Sequence, residues 1–92
     1  MAIDKKYVED CISRLTPREK EILYWKCHGK TNDQISEELV ISINTVNDHF
    51  RDIYPKLGVE FQERKGRLDK LQNIFCPLFL EIYTPPETVV EE

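Results

Sequence analysis

The stretch ISINTVNDHFRDIYPKLG, residues 41–58, gathers side chains suited to polar recognition. Asn44, Asn47, Asp48 and Arg51 recur at i, i+3, i+4 and i+7, which places them on one side of a helix, with Asp52 beside them. Their chemistry is directional hydrogen bonding. An arginine fork matches the two acceptors of a guanine edge, an asparagine amide matches adenine, and an aspartate accepts from cytosine. Thr31, Ser42 and Thr45 fall at predicted helix starts, where hydroxyls and backbone N–H groups together bond phosphate oxygens, and Lys56 adds a cation.

Nothing comparable supports catalysis. There is no glycine-rich phosphate loop, no H-E-x-x-H and no nucleophile beside a recognisable base. Cys11, Cys27 and Cys76 are odd in number, widely spaced and without a C-x-x-C pair, and with His28 and His49 they show no metal-ligand spacing. The three thiols are expected to be free and buried as small apolar groups. His49 falls at the edge of an apolar stripe and is expected to pack there. The expectation is no enzyme, no metal and no cofactor.

The recognition face needs a frame, and the flanking residues supply one. Residues 4–14 carry Val8, Cys11, Ile12 and Leu15 at helical spacing, with Asp4 as cap. Thr16, Pro17 and Glu19 form a capping box with proline at the first helical position, which opens a helix ending near His28 and Gly29. Thr31 and Gln34 repeat the box and open a short helix from Asn32 to Leu39. Val40 and Ile41 make a brief turn, and Ser42 caps a third helix from about Ile43. Val46, Phe50, Ile53 and Leu57 give that helix a single apolar stripe opposite the polar face. Pro55 is expected to kink it or end it near Ile53–Tyr54. Residues 60–66 read as a polar connection, and Leu68, Leu71, Ile74 and Phe75 as a fourth helix that Pro77 stops. The predicted division is a leading helix or linker (1–14), a helical domain (15–76), and an irregular tail (77–92), first apolar and then acidic.

LTPREKEIL (15–23), Gly29, TNDQIS (31–36), ISINTVNDH (41–49) and IYPKLGV (53–59) closely resemble the LuxR-type (GerE-like) helix-turn-helix family, without a gap from residue 15 to 59. The resemblance implies an all-α, four-helix domain for sequence-specific binding of double-stranded DNA in transcription regulation. It implies that the recognition helix, about 43–54, enters the major groove. It also implies that the fourth helix, through Leu68, Leu71, Ile74 and Phe75, pairs two copies into a homodimer. The departures are specific: Asn47 stands where the family commonly carries lysine, Lys26 where an apolar residue is usual, and the link over 60–67 is longer.

Charge tempers this picture. The formal net charge is −4, yet residues 1–80 hold 13 basic and 13 acidic side chains, so the excess comes from Glu81, Glu87, Glu91 and Glu92. Within 42–58, Arg51 and Lys56 balance Asp48 and Asp52, so long-range attraction to DNA is expected to be weak and two copies or base contacts to be needed. Arg64, Lys65, Arg67 and Lys70 form the densest basic cluster, expected as a solvated face or, near DNA, as a phosphate contact. The alternative is a protein-interaction adaptor that keeps the fold and engages another regulator or RNA polymerase. No apolar run approaches the length of a membrane span, and MAIDKK leads into a charged segment with no signal-peptide core, so a cytoplasmic protein is expected. With so little chain before the motif, the domain is expected either to stand alone or to begin a longer protein.

Overall fold

The computed structural model describes residues 3–58 and 61–84, and the acidic end expected at 85–92 lies outside them. Helix α1 (Lys5–Arg14) starts at Asp4, whose carboxylate accepts from the Tyr7 N–H at 2.9 Å. Helix α2 (Pro17–Cys27) opens with the expected capping box: the Thr16 hydroxyl accepts from the Glu19 N–H, and the Glu19 carboxylate accepts from the Thr16 N–H. Gly29, at φ 85°, turns the chain while the Lys30 N–H reaches back to the Trp25 carbonyl. Helix α3 (Asn32–Leu39) repeats the box with Thr31 and Gln34. A cap of this kind contributes about 1 kcal/mol to its helix.

The turn between α3 and α4 is tight. Val40 adopts a left-handed conformation (φ 56°, ψ 49°), and the Ile41 N–H closes on the Ser36 carbonyl. A β-branched residue is a poor choice there, because its Cβ crowds the carbonyl oxygen. Helix α4 (Ile43–Lys56) then runs with Ser42 capping the Thr45 N–H. The expected end near Ile53–Tyr54 is not found. Pro55 lies in the last turn, so it deletes one bond to the carbonyl of exposed Arg51, and the Leu57 N–H still bonds the Ile53 carbonyl.

The C-terminal part also corrects two expectations. Phe61, within the segment read as a polar connection, is fully buried and meets Phe75 edge-to-face. Helical backbone does not stop at Pro77: α5 (Arg67–Lys70) passes through a π-helical turn (Leu71–Phe75) into α6 (Cys76–Ile82). The Cys76 N–H bonds the Leu71 carbonyl five residues back, and this widened turn makes room for the proline ring ahead of it. Phe79, in the apolar stretch expected to pack back on the domain or on a second copy, lies in α6 rather than in an irregular tail, and it is buried, stacked between Phe75 and Tyr83.

The elements pack as one core. α2, α3 and α4 contact one another, while α6 lies against both α1 and α2. α1 also finishes α4: the Tyr7 hydroxyl and the Cys11 thiol bond the Leu57 carbonyl, and Arg14 Nε bonds that of Lys56 at 3.3 Å. Because α6 crosses α2, Cys27 and Cys76 come to a Cα separation of 5.2 Å and are disulfide-bonded. The expectation of three free thiols therefore holds for Cys11 alone, which is buried. Sequence spacing carried no sign of the pair, since 49 positions separate the two cysteines.

Candidate nucleic-acid interface

The polar face of α4 is set by what lies behind it. Val46 and Ile53 are fully buried and Phe50 nearly so, and this anchored stripe leaves Asn44, Asn47, Asp48, Arg51 and Asp52 exposed. All four residues expected to face bases thus share one accessible surface. Arg51 Nη1 pairs with Asp48 Oδ1 at 3.2 Å, but both side chains are largely in solvent. An exposed pair of this kind holds its partners weakly, so the guanidinium is free to trade it for another acceptor.

Asn47 is held from the side. The Asn32 amide, at the first position of α3, donates to Asn47 Oδ1 at 2.7 Å. This contact joins α3 to α4 beside the exposed polar face. Sequence reasoning did not find Asn32, because two residues 15 apart on different helices leave no periodic trace.

The residues expected to meet phosphate divide. Thr31 and Ser42 are exposed at the starts of α3 and α4, and each hydroxyl oxygen accepts from the helix N–H three residues on. Accepting leaves the Thr31 O–H available to donate outward. Ser42 and Thr45 share one hydroxyl hydrogen bond at 2.8 Å, so one of their two O–H groups remains for an external acceptor.

Lys56 does not belong to this surface. Its ammonium bonds both carboxylate oxygens of Glu19, at 2.8 and 3.0 Å. Burial alone would raise the Glu19 pKa, but the Lys56 ammonium and the Thr16 N–H outweigh it and hold the carboxyl below its usual range. The pair ties the start of α2 to the end of α4. The missed partner was Glu19, whose role in the capping box concealed its second bond.

The expected pairing residues divide too. Leu71 and Phe75 are fully buried inside the protein's own core, so neither is available to a second copy, whereas Leu68 and Ile74 are 46% and 45% exposed. Leu71 and Phe75, four residues apart, share the side of the helical run that faces the core, and Leu68 and Ile74 fall to either side of them.

Beside α4 opens a groove of about 660 Å³, into which Asn47 and Arg51 face from one side and Lys26, Arg64 and Arg67 from the others. The Arg67 guanidinium lies 3.7 Å from the centroid of the Tyr54 ring, and the Lys26 ammonium 5.2 Å from that of Phe50. Burial lowers the Lys26 pKa. Among the described residues no group of His, Cys, Asp and Glu is placed to hold a metal ion, and no helix is long and apolar enough to cross a membrane.

Comparison with known proteins identifies the family of the helical motif. The family model described as bacterial regulatory proteins, luxR family, matches residues 13–62. The transcriptional regulatory protein LiaR of Bacillus subtilis (strain 168) is 53% identical over 45 residues, covering 49% of this chain and 21% of LiaR. The HTH-type transcriptional regulators MalT of Serratia proteamaculans (strain 568) and Yersinia pestis (strain Pestoides F) are each 41% identical over 51 residues, 55% of this chain and 6% of each relative. The chain therefore spans only a small part of the curated relatives it matches. No solved structure matches it significantly.

Proposed function

This chain belongs to the luxR family of bacterial regulatory proteins, and from that premise we propose that it binds double-stranded DNA as a transcription-regulating module, with α4 in the major groove. One observation carries the proposal: a polar row of Asn44, Asn47, Asp48 and Arg51 stands exposed on a capped helix whose other side is locked into the core. Arg51 reads guanine by its fork and the two asparagines read adenine, while Asp48 accepts from cytosine. Thr31, Ser42 and Thr45 fix the helix starts against the phosphate backbone. Such contacts position the module but carry no sequence information.

Two copies bind together in this reading, through Leu68 and Ile74, the exposed apolar residues of the C-terminal helical run. The names of the LiaR and MalT relatives describe transcriptional regulators, which favours the same function here. The cytoplasm is the matching location.

Fluorescence anisotropy on a pool of random-centre duplexes, at about 50 and 200 mM salt, tests the proposal. Neutralising a few phosphates predicts a loss of affinity of roughly tenfold or more across that range. Arg51→Ala is expected to weaken binding to a selected site by about 1–3 kcal/mol and to relax its sequence preference. A folded protein with no affinity at low salt sinks the DNA reading. The protein-interaction adaptor, with another regulator or RNA polymerase as partner, then takes its place.

A further inference from the structure

The groove beside α4 has a lining that base reading by Asn47 and Arg51 does not account for. Lys26, Arg51, Arg64 and Arg67 converge on it, and among the described residues no acidic side chain lines it. Among the described residues no carboxylate pairs with Lys26, Arg64 or Arg67, and Arg51 has only its exposed contact with Asp48. Lys26 is half-buried over the Phe50 ring, where desolvation disfavours its charge and no carboxylate among the described residues offsets the cost. Arg67 is held over the Tyr54 ring, which fixes the direction of its donors. Two of the four cations are therefore held in place by aromatic rings, and each still has donors to offer.

We propose that this groove binds a compact phosphate-bearing anion, held by Lys26, Arg64 and Arg67. The size fits a small molecule, since ligand pockets run from about 300 to 1,000 Å³. A recessed, half-buried ammonium suits a small phosphate group better than the rounded backbone of a duplex. The planar guanidinium forks of Arg64 and Arg67 suit the same group. The charges are complementary: the ligand brings the negative charge that the described lining lacks.

The position of the groove gives the site a consequence, which rests on the DNA-binding reading. Asn47 and Arg51 line the groove and also belong to the face expected to read bases. An anion in the groove draws Arg51 inward and adds negative charge where DNA phosphates approach. Ligand and duplex therefore compete.

The test uses the full chain and inorganic pyrophosphate at constant ionic strength, followed by amide chemical shifts in the absence of DNA. The expected result is a saturable shift centred on Phe50, Arg51, Arg67 and Leu68. Lys26→Met keeps the apolar stem, and Arg64→Gln changes an exposed side chain, so both variants are expected to fold. Each is expected to weaken pyrophosphate binding about tenfold, the loss of one charge-assisted hydrogen bond. Non-saturable or scattered shifts, or affinities unchanged in both variants, overturn the site. A second arm adds pyrophosphate to the protein on duplex DNA. Displacement supports competition, whereas pyrophosphate binding with undisturbed DNA overturns the competition and leaves the site. Absence of DNA binding altogether refutes the DNA reading without touching the first arm.

Discussion

Replacing Lys56 separates two roles that its sequence position confuses. Glu19 is 4% exposed and accepts three hydrogen bonds, two from Lys56 and one from the Thr16 N–H. Lys56→Met leaves the carboxylate buried with the Thr16 N–H alone. Removing one partner of a fully buried pair costs about 3–5 kcal/mol. The Lys56 side chain is 33% exposed, so solvent already screens the pair, and the expected loss falls to about 2 kcal/mol. Glu19→Gln is milder, at about 1 kcal/mol, because the amide oxygen still accepts from Thr16 and the freed ammonium moves into water. Urea unfolding at pH 7 measures both. The pair also gives a pH signature: the folded-state pKa of Glu19 is depressed, so its stabilisation is present above the ordinary value of 4.5 and is lost as pH falls through the folded value. The Glu19→Gln protein lacks that part of the acid loss. On DNA, Lys56→Met is expected to leave the dependence of affinity on salt unchanged, whereas a phosphate contact would reduce the logarithmic slope by about one. A loss of stability under about 0.5 kcal/mol together with a reduced salt slope would refute the structural role and restore Lys56 to the phosphate surface.

Val40→Gly is expected to raise stability by about 1 kcal/mol in thermal unfolding, since it relieves a left-handed β-branched residue that is 88% exposed and contributes little burial. Unchanged or lower stability would show that the turn is not strained. Gly58→Ala is expected to cost about 2–3 kcal/mol, because the glycine sits at φ 99° and a Cβ there would strike the Tyr7 hydroxyl that bonds the Leu57 carbonyl. A neutral effect in urea unfolding would argue against that close approach. Reduction of Cys27–Cys76 is expected to remove as much as about 4 kcal/mol, the loop-closure value for cysteines 49 residues apart. Urea midpoints that coincide with and without reductant would mean that the bond is absent or carries no constraint.

What the sequence made legible was local. Asp4, Thr16, Thr31 and Ser42 each cap a helix where their side chains and the following pattern indicated, because capping needs only residues within one turn. The buried stripe of α4 was legible for the same reason. The prolines were harder. Pro55 forfeits only one hydrogen bond in a last turn, and Pro77 follows a π-helical turn that no propensity describes. Phe61 lay hidden among charged neighbours, a single apolar residue with no period to announce it. Contacts between distant positions left no trace at all: Asn32 with Asn47, Glu19 with Lys56, and Cys27 with Cys76 depend on how the helices cross.

Those crossings change the electrostatics around the polar face of α4. Counted along the chain, residues 42–58 are neutral, with Arg51 and Lys56 set against Asp48 and Asp52. In space Lys56 turns away to Glu19, which by itself would leave the face of α4 acidic. The fold restores positive charge from elsewhere: Lys26 comes from α2, Arg64 from the connection and Arg67 from α5, all beside Asn47 and Arg51. Lys26 and the long link over 60–67, two departures from the family pattern, thus act at one place. A window of sequence underestimates the cationic character of this surface because the relevant neighbours are not sequential. Affinity for phosphate is therefore expected to depend more on Lys26 and Arg64 than on any cation of α4 except Arg51. The Lys26→Met and Lys56→Met proteins, each titrated with pyrophosphate at constant ionic strength, decide that order: the former should lose about tenfold in affinity and the latter should not.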